Sequence, residues 1–255
     1  MEELLIPGLD TLTKEIDEKA KKLKGTIKTG RTHLMDAMPI DFAQELSGWS
    51  AQLKSCKSSI LSANKRMMEL PQGGTAIGTG VNSHKNFSKN FCEALDKVSG
   101  LKVKPASNFF QGLSSQDNAA ELSSALKNLS LVLMKICNDL RWMNSGPLTG
   151  LSDIELEALQ PGSSIMPGKV NPVVSEAVMM AAADVMGNDL TISYANQSGN
   201  FQLNVMLPVI AYNLLKSITL MANSCEFLAQ KGIRCLLYTS PSPRDLSTSR
   251  MPSSA

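Results

Sequence analysis

The stretch that decides the fold is "PVVSEAVMMAAADVMGNDLTISYAN", residues 172–196. Its apolar side chains recur at the three- and four-residue spacing of an α-helix, and they include Val173, Val174, Ala177, Val178, Met180, Ala181 and Val185. These side chains fall on more than one face, so packing against a single neighbouring layer would leave some of them in water. We therefore predict a helix at the centre of a bundle, and such a helix suits a bundle shared between subunits.

Helical periodicity also dominates the rest of the chain. Apolar stripes at helical spacing predict further helices over residues 9–23, 41–70 and 114–143, and we also predict helices over 86–98 and 205–231. Almost no segment alternates apolar and polar residues as a half-buried strand does. The predicted fold class is therefore all-α, a bundle of long helices.

Composition and charge exclude several classes of function. The formal net charge of +2 is too near zero to indicate nucleic acid or an anionic membrane as a partner. The apolar stretches are too short to span a bilayer. None of the five cysteines forms a C-x-x-C pair, and with only two histidines no zinc site is expected. An odd cysteine count without a secretory leader indicates a reducing compartment.

The loop "GSSIMPGKVNP", residues 162–172, is polar and rich in glycine and proline. Pro172 suits the first turn of a helix, and Asn171 before it is a good N-cap. The loop therefore delivers the N-terminus of a buried helix, with its free N–H groups, beside the charge of Lys169. This combination predicts an anion site for a carboxylate or a phosphate. The alternative is a connector that only caps the helix and leaves its lysine solvated.

A second candidate is "TGRTHLMDAMP", residues 29–39, which holds His33 between a helix end and a helix start. The alternative for His33 is a loop histidine that makes one backbone hydrogen bond. The glycine-rich "GGTAIGTG" at 73–80 lacks the G-K-[ST] ending of a phosphate loop, so we interpret it as a tight connection between helices.

Several segments together resemble one family. The loop at 162–172 is similar to the signature of the fumarase/aspartase superfamily, in the form seen in class II fumarases and aspartases. Four further segments resemble class II fumarases in order and spacing, over about residues 4–232: "LIPGLDTLTKEIDEKAKKLKGTIKTGRTHLMDAMPI", "GGTAIGTGVN", "MKICNDLRWMNSGPLTGLSDIELEALQPGSS" and "SGNFQLNVMLPVIAYNLL".

The resemblance implies a reaction class, with aspartase as the near alternative. Fumarases dehydrate malate to fumarate reversibly, whereas aspartases are ammonia-lyases. This chain has His33 in "GRTHL", where aspartases have glutamine, and "SGNFQLNV", where aspartases resemble "AGQLQLNV". Both differences favour a fumarate hydratase.

The resemblance also implies site residues. Ser163 is the expected base, Glu176 is the expected partner of His33, and His33 acts on the departing hydroxide through a water. The positions expected to bind the dicarboxylate substrate are Thr32, Ser164, Lys169, Val170 and Asn171. No metal or organic cofactor is expected, and family members are homotetramers whose sites combine residues of different subunits.

The resemblance covers the central helical domain of this family, which we assign to residues 1–235. The N-terminal domain, with a segment of the "SSND" type, and the small C-terminal domain have no counterpart here. The serine- and proline-rich residues 236–255 are expected to be a disordered or foreign tail. A truncated chain of this kind is expected to be inactive alone, and a non-catalytic helical assembly module is the alternative function. The expected compartment is the cytoplasm or the mitochondrial matrix.

Overall fold

Long helices make up most of the structure, a computed structural model that describes residues 1–159, 162, 165–166 and 168–239. Within these residues there are seven α-helices: α1 Leu5–Lys22, α2 Phe42–Met67, α3 Phe87–Ser99, α4 Phe109–Ser114, α5 Asp117–Met143, α6 Val173–Asn196 and α7 Leu207–Phe227. A turn of π-helix, Leu228–Ile233, continues α7. The predicted all-α class is confirmed.

Two predicted helices differ from the observed ones in a way that the sequence explains. The helix predicted over 114–143 begins at Asp117 as α5, and Ser114 instead ends the short helix α4, because Ser115 is extended, with φ −142° and ψ 155°. The backbone N–H of Gln116 then donates to Asn196 Oδ1 at 2.7 Å. The helix predicted over 205–231 begins at Leu207, after Asn204 accepts the backbone N–H of Met206 at 2.8 Å.

A β-hairpin replaces the connection expected between the first two long helices. Strand β1, Ile27–Thr32, pairs antiparallel with β2, Met35–Asp41, from Ile27 opposite Asp41 to Thr32 opposite Met35. The turn residues His33 and Leu34 have φ values of 54° and 60°, the left-handed values that a two-residue turn of type I′ requires. The segment at 29–39, which the sequence placed only between a helix end and a helix start, therefore belongs to a hairpin.

Two pairs of short strands complete the secondary structure that the described residues contain. Strand β3, Glu69–Leu70, pairs parallel with β4, Lys104–Pro105. Strand β5, Ile154–Glu155, pairs antiparallel with β6, Leu237–Tyr238. The first of these pairs ends the helix predicted over 41–70 at Met67.

The chain divides into two compact units, and the four longest helices each contribute residues to both. Unit 1 comprises residues 1–54, 131–181 and those from 222 onwards. Its core contains the buried stripe of α1 and the first half of α2: Leu5, Leu9, Leu12, Ile16, Phe42, Leu46, Trp49 and Leu53. Helix α1 lies so close to the end of α7 that a Cβ on Gly8 would come 3.0 Å from the carbonyl oxygen of Ala222.

Unit 2 comprises residues 55–130 and 182–221. Its core residues come from the other parts of the long helices: Ile60, Leu122, Leu126, Leu129, Val185, Ile192, Ile210 and Leu214. A buried carboxylate, Asp189 on α6, joins α6 to α5 by accepting from Lys127 at 2.5 Å and from Ser123 at 2.8 Å. No helix in the described part of the chain combines the length and hydropathy needed to cross a membrane.

Candidate active site

The hairpin presents Thr32 and His33 at its exposed end. Both side chains are exposed, and His33 occupies the first position of the turn. The His33 imidazole makes no hydrogen bond to any residue that the structure describes, so it is not the backbone-bonded loop histidine of the alternative interpretation. A free imidazole at a turn is available to a substrate or to a neighbouring chain.

Beneath this turn lies a network of buried charges. Lys28 on β1 has a side chain only 6% exposed, and its Nζ lies 2.8 Å from Glu45 Oε2 and 3.5 Å from Asp153 Oδ2. Arg31 donates from Nη1 to Asp153 Oδ2 at 2.7 Å. Two cations and two carboxylates therefore balance, as charges removed from water must.

The sequence alone did not predict this network. Lys28 and Arg31 are separated by three positions on what becomes a strand, and such residues point to opposite faces of a regular strand. Asp153 is more than a hundred residues away in the chain and lies in a loop. No sequence pattern available before the structure joins them.

A cavity of about 430 Å³ opens beside the network. Its lining includes residues of β1, His33 of the turn, and Asp139 and Trp142 from α5. The Asp139 carboxylate accepts a hydrogen bond from the indole N–H of Trp49 at 3.2 Å. The cavity thus combines polar groups of both charges with apolar walls, as small-molecule sites do.

The second part of the candidate site is the start of α6. Lys169 and Val170 are exposed, and Gly168 has a φ of 83° that suits glycine. Asn171 donates from its side-chain amide to the carbonyl oxygen of Gly162 at 3.0 Å. Ser163 and Ser164 lie outside the described residues.

The helix start differs by one residue from the prediction. Helix α6 begins at Val173, and its first helical hydrogen bond runs from the backbone N–H of Glu176 to the carbonyl oxygen of Pro172 at 3.2 Å. Pro172 therefore occupies the N-cap position that we assigned to Asn171, whose amide bridges the loop instead. The positive end of the helix still faces the loop, beside Lys169.

Glu176 lies in the first turn of α6 and contacts Arg141 of α5. The Glu176 carboxylate oxygen is 3.8 Å from Arg141 Nη2, and both side chains are partly exposed, at 42% and 40%. The contact is an ion pair within one chain. The predicted pairing of Glu176 with His33 of another subunit stays a prediction.

Cys137 on α5 is a buried thiol near this helix. Burial raises its pKa to about 12, against the opposing effects of a hydrogen bond with Ser175 and the charge of Arg141. Among the described residues, no three His, Cys, Asp or Glu side chains are close enough to hold a metal ion. The described residues contribute to the site the side chains of His33, Lys169 and Glu176 and the N-terminus of α6.

A comparison with known families decides the classification. The model of a family described as lyases matches residues 1–187. This chain belongs to that lyase family. The match includes Thr32, His33, Lys169, Val170, Asn171 and Glu176.

Individual relatives within the lyase family are similar over most of this chain. A "Fumarate hydratase class II" of Xylella fastidiosa is 55% identical over 229 residues, which are 90% of this chain and 48% of the relative. The "Fumarate hydratase class II" of Bacillus subtilis is 48% identical over 229 residues, 90% of this chain and 50% of the relative. The chain thus spans about half the length of the curated relatives it matches.

Solved structures of this lyase family share the fold. The class II fumarase of Schistosoma mansoni superposes with a TM-score of 0.91 at 38% identity, over 92% of this chain and 52% of the other. A fumarate lyase:delta crystallin of Brucella melitensis superposes with a TM-score of 0.88 at 36% identity, over 92% and 51% of the two chains.

Proposed function

We propose that this chain carries the central helical part of a fumarate hydratase, which dehydrates malate to fumarate and catalyses the reverse reaction. The observation that carries the proposal is the start of α6. There an exposed lysine and the positive end of a helix precede Glu176, and "GKVNP" is the sequence between them. The names of the similar proteins support the same reaction for the whole enzyme.

The chemistry needs concentrated positive charge. Removing a proton beside a carboxylate gives an aci-carboxylate with two negative charges at one end, so catalysis requires donors already in place there. We assign these to Lys169, to the Asn171 side chain, and to the backbone N–H groups of Val170 and Asn171. The dipole of α6 adds to their potential.

Proton transfer is assigned to opposite faces of the substrate. Ser163 is the base, as an alkoxide stabilised by the same positive potential once water is excluded. His33 serves the departing hydroxide through a water, with Thr32 and Ser164 holding the substrate. Glu176 of another subunit pairs with His33 and favours its protonated form. The assigned steps use only these side chains and a water.

The assembly is proposed to be a homotetramer with sites shared between subunits. Along α6 the exposed positions Met180, Ala183, Gly187, Leu190 and Tyr194 follow the alternating three- and four-residue spacing of a coiled-coil seam. Met180, Leu190 and Tyr194 are 69%, 67% and 68% exposed in the single chain. Such a stripe left in water costs roughly 25 cal/mol per Å², which favours association.

The decisive experiment uses a completed enzyme. Residues 4–232 replace the matched segment of the Xylella fastidiosa relative, and fumarate formation is measured with malate and then with aspartate. We expect activity with malate only. Activity with aspartate but not malate would favour the ammonia-lyase alternative, and an assembled protein inactive with both would favour the assembly module.

A second measurement separates association from catalysis. The 255-residue chain alone is expected to self-associate in light scattering but to show little turnover, because positioning of both substrate carboxylates carries a large share of the rate. Leu190→Glu should weaken the association, and Ser58→Glu, a control at an exposed position of α2, should not. A monomeric parent chain would contradict the shared bundle.

The cysteines bear on the compartment. None of the five cysteines forms a disulfide, and four are buried. Five reduced thiols support a reducing environment, so we assign the protein to the cytoplasm or the mitochondrial matrix.

A further inference from the structure

We propose that Asp153 is a positioning residue for His33, acting through Arg31 and Lys28 at the base of the hairpin. The inference rests on the proposed function, because it concerns the residue that serves the departing hydroxide. Asp153 touches neither the turn nor its exposed side chains in any contact given above. Its effect on catalysis is therefore indirect.

The hairpin depends on β1 for its position. The side chains of β2 from Met35 to Pro39 are all exposed, so this strand has little to pack against. On β1, by contrast, Lys28 is buried, and Arg31 is only 14% exposed. The side-chain contacts of β1 thus hold the hairpin against the body of unit 1.

A bulge makes these contacts possible. The pairing shifts between Thr29, opposite Pro39, and Arg31, opposite Asp36. Bulges redirect side chains, and here the shift lets Lys28 and Arg31 reach the same carboxylate although they are three residues apart. Gly30 lies at the bulge, where a Cβ would come 2.5 Å from the carbonyl oxygen of Met38.

The Lys28 ammonium has four neighbouring groups. Besides Glu45 and Asp153, it lies 3.1 Å from Met143 Sδ and 5.3 Å from the centroid of the Phe42 ring. A buried cation with four neighbours cannot shift without losing an ion pair. The network therefore resists small movements of β1.

The backbone of Asp153 makes two hydrogen bonds, one through its N–H group and one through its carbonyl oxygen. Its N–H donates to the carbonyl oxygen of Met143 at 2.8 Å, and its carbonyl oxygen accepts from the backbone N–H of Thr239 at 3.2 Å. The carboxylate is thus fixed relative to the last residue of α5. Arg31 immediately precedes Thr32, so the constraint passes along the backbone to His33.

This geometry leads to a specific prediction for Asp153→Asn. The amide cannot balance both cations, and β1 loses its fixed position. A misplacement of about 1 Å can lower turnover on the order of 10²-fold. In the completed enzyme we expect kcat to fall about 10- to 100-fold.

A double-variant cycle distinguishes positioning from general damage. If Asp153 acts through His33, Asp153→Asn should change kcat by less than about two-fold when His33→Gln is already present. The matched control is Asp189→Asn, the same change at a buried carboxylate of unit 2. Asp189→Asn should change kcat by the same factor whether position 33 is histidine or glutamine.

Hydrogen exchange of the 255-residue chain provides a readout independent of activity. Asp153→Asn should speed exchange of the hairpin amides, residues 27–41, at least about ten-fold, and Asp189→Asn should leave them unchanged. If Asp153→Asn does not fold, Asp153→Glu replaces it, because glutamate keeps the negative charge but changes its position. Exchange of the hairpin amides is then compared between Asp153→Glu and the parent chain.

The outcomes separate the two ideas. Equal factors for Asp153→Asn with and without His33, or unchanged exchange in the hairpin, would overturn the inference while leaving fumarate hydratase activity intact. A completed enzyme without malate activity would overturn the proposed function, and hydrogen exchange would still decide whether Asp153 holds the hairpin.

Discussion

Two buried carboxylates, Asp153 in unit 1 and Asp189 in unit 2, have similar surroundings but hold different kinds of element. The Asp153 side chain is 11% exposed and forms ion pairs with two cations, and the Asp189 side chain is 6% exposed and accepts from a lysine and a serine. Asp189 joins two helices. Asp153 joins a hairpin to a loop.

The difference lies in what else holds each element. Helices α5 and α6 bury apolar stripes in unit 2, including Leu122, Leu126, Val185 and Ile192, so the ion pair adds to contacts that already exist. The hairpin has an exposed second strand and few apolar contacts. A buried ion pair is weak evidence for stability, but it can specify a position where packing does not.

The largest expected effect tests whether the exposed end of the hairpin takes part in catalysis. His33→Gln should lower kcat for malate by about 10²–10⁴-fold, because it removes a general acid. The melting temperature should stay unchanged, since the side chain is exposed. His84→Gln, the same change at the other histidine, is the control. If His33→Gln keeps full turnover, the hairpin has no catalytic role. Asp153 and Asp189 would then differ only in the structural elements that they hold.

A second prediction tests the bulge that brings Lys28 and Arg31 together. Gly30→Ala places a methyl group against the carbonyl oxygen of Met38, which forces the strands apart. We expect a loss of about 1–3 kcal/mol in unfolding free energy, measured by urea denaturation. A loss of kcat should accompany it.

The control for this change is another glycine to alanine substitution. Gly48 lies within α2, where nothing approaches its Cβ position within 4 Å. Gly48→Ala should stabilise the protein by about 0.5–1 kcal/mol, because alanine is the better helix former. A Gly30→Ala variant as stable as the parent would show that the bulge tolerates a side chain.

The contrast between the two carboxylates also explains which parts of the structure could be predicted. Helix α6 was predicted from its spacing and from Pro172, because both signals are local. The hairpin was missed because β2 is exposed and lacks alternation, and because His33-Leu34 is not the Asn-Gly pair that indicates a type I′ turn.

The candidate site was predictable to a similar, partial degree. His33, Lys169 and Glu176 could be named because they lie in motifs of a known family. Asp153 and Lys28 could not, since an ion pair between distant residues depends on the tertiary fold. The contact of Glu176 with Arg141 was missed for the same reason.

A third prediction tests whether Asp189 contributes only to stability. Asp189→Asn leaves Lys127 without its carboxylate, while the amide can still accept from Ser123. We expect a loss of about 1–3 kcal/mol in unfolding free energy. Turnover of the completed enzyme should stay within about two-fold of the parent.

Thiol labelling can localise that loss. Cys56 is buried, and its sulfur lies 3.6 Å from Asn128 Nδ2, next to Lys127 in the chain. Asp189→Asn should speed the labelling of Cys56, and Asp153→Asn should not. Equal acceleration of Cys56 by both substitutions would mean that the two carboxylates support one cooperative structure.

The smallest expected effect concerns an exposed carboxylate, Asp117 at the first position of α5. Hydrogen bonds from Ser115, Asn196 and Gln111 hold the pKa of Asp117 below its usual value of 3.8. Because the pKa is lower in the folded state, the stabilisation is present above pH 3.8 and disappears as the pH falls through the lower folded value.

For this reason Asp117→Asn should cost only about 0.5 kcal/mol at neutral pH, since solvent screens an exposed charge at a helix N-terminus. The measurement is the difference in unfolding free energy between parent and variant from pH 7 downwards, which should shrink towards zero below pH 3.8. Glu93→Gln, at an exposed carboxylate on α3 with only a long ion pair to Lys89, is the control and should show a smaller difference. If Asp117→Asn lowered the unfolding free energy as much as Asp189→Asn does, burial would not explain the difference between these carboxylates. Any difference between Asp153 and Asp189 would then come from the residues with which they pair.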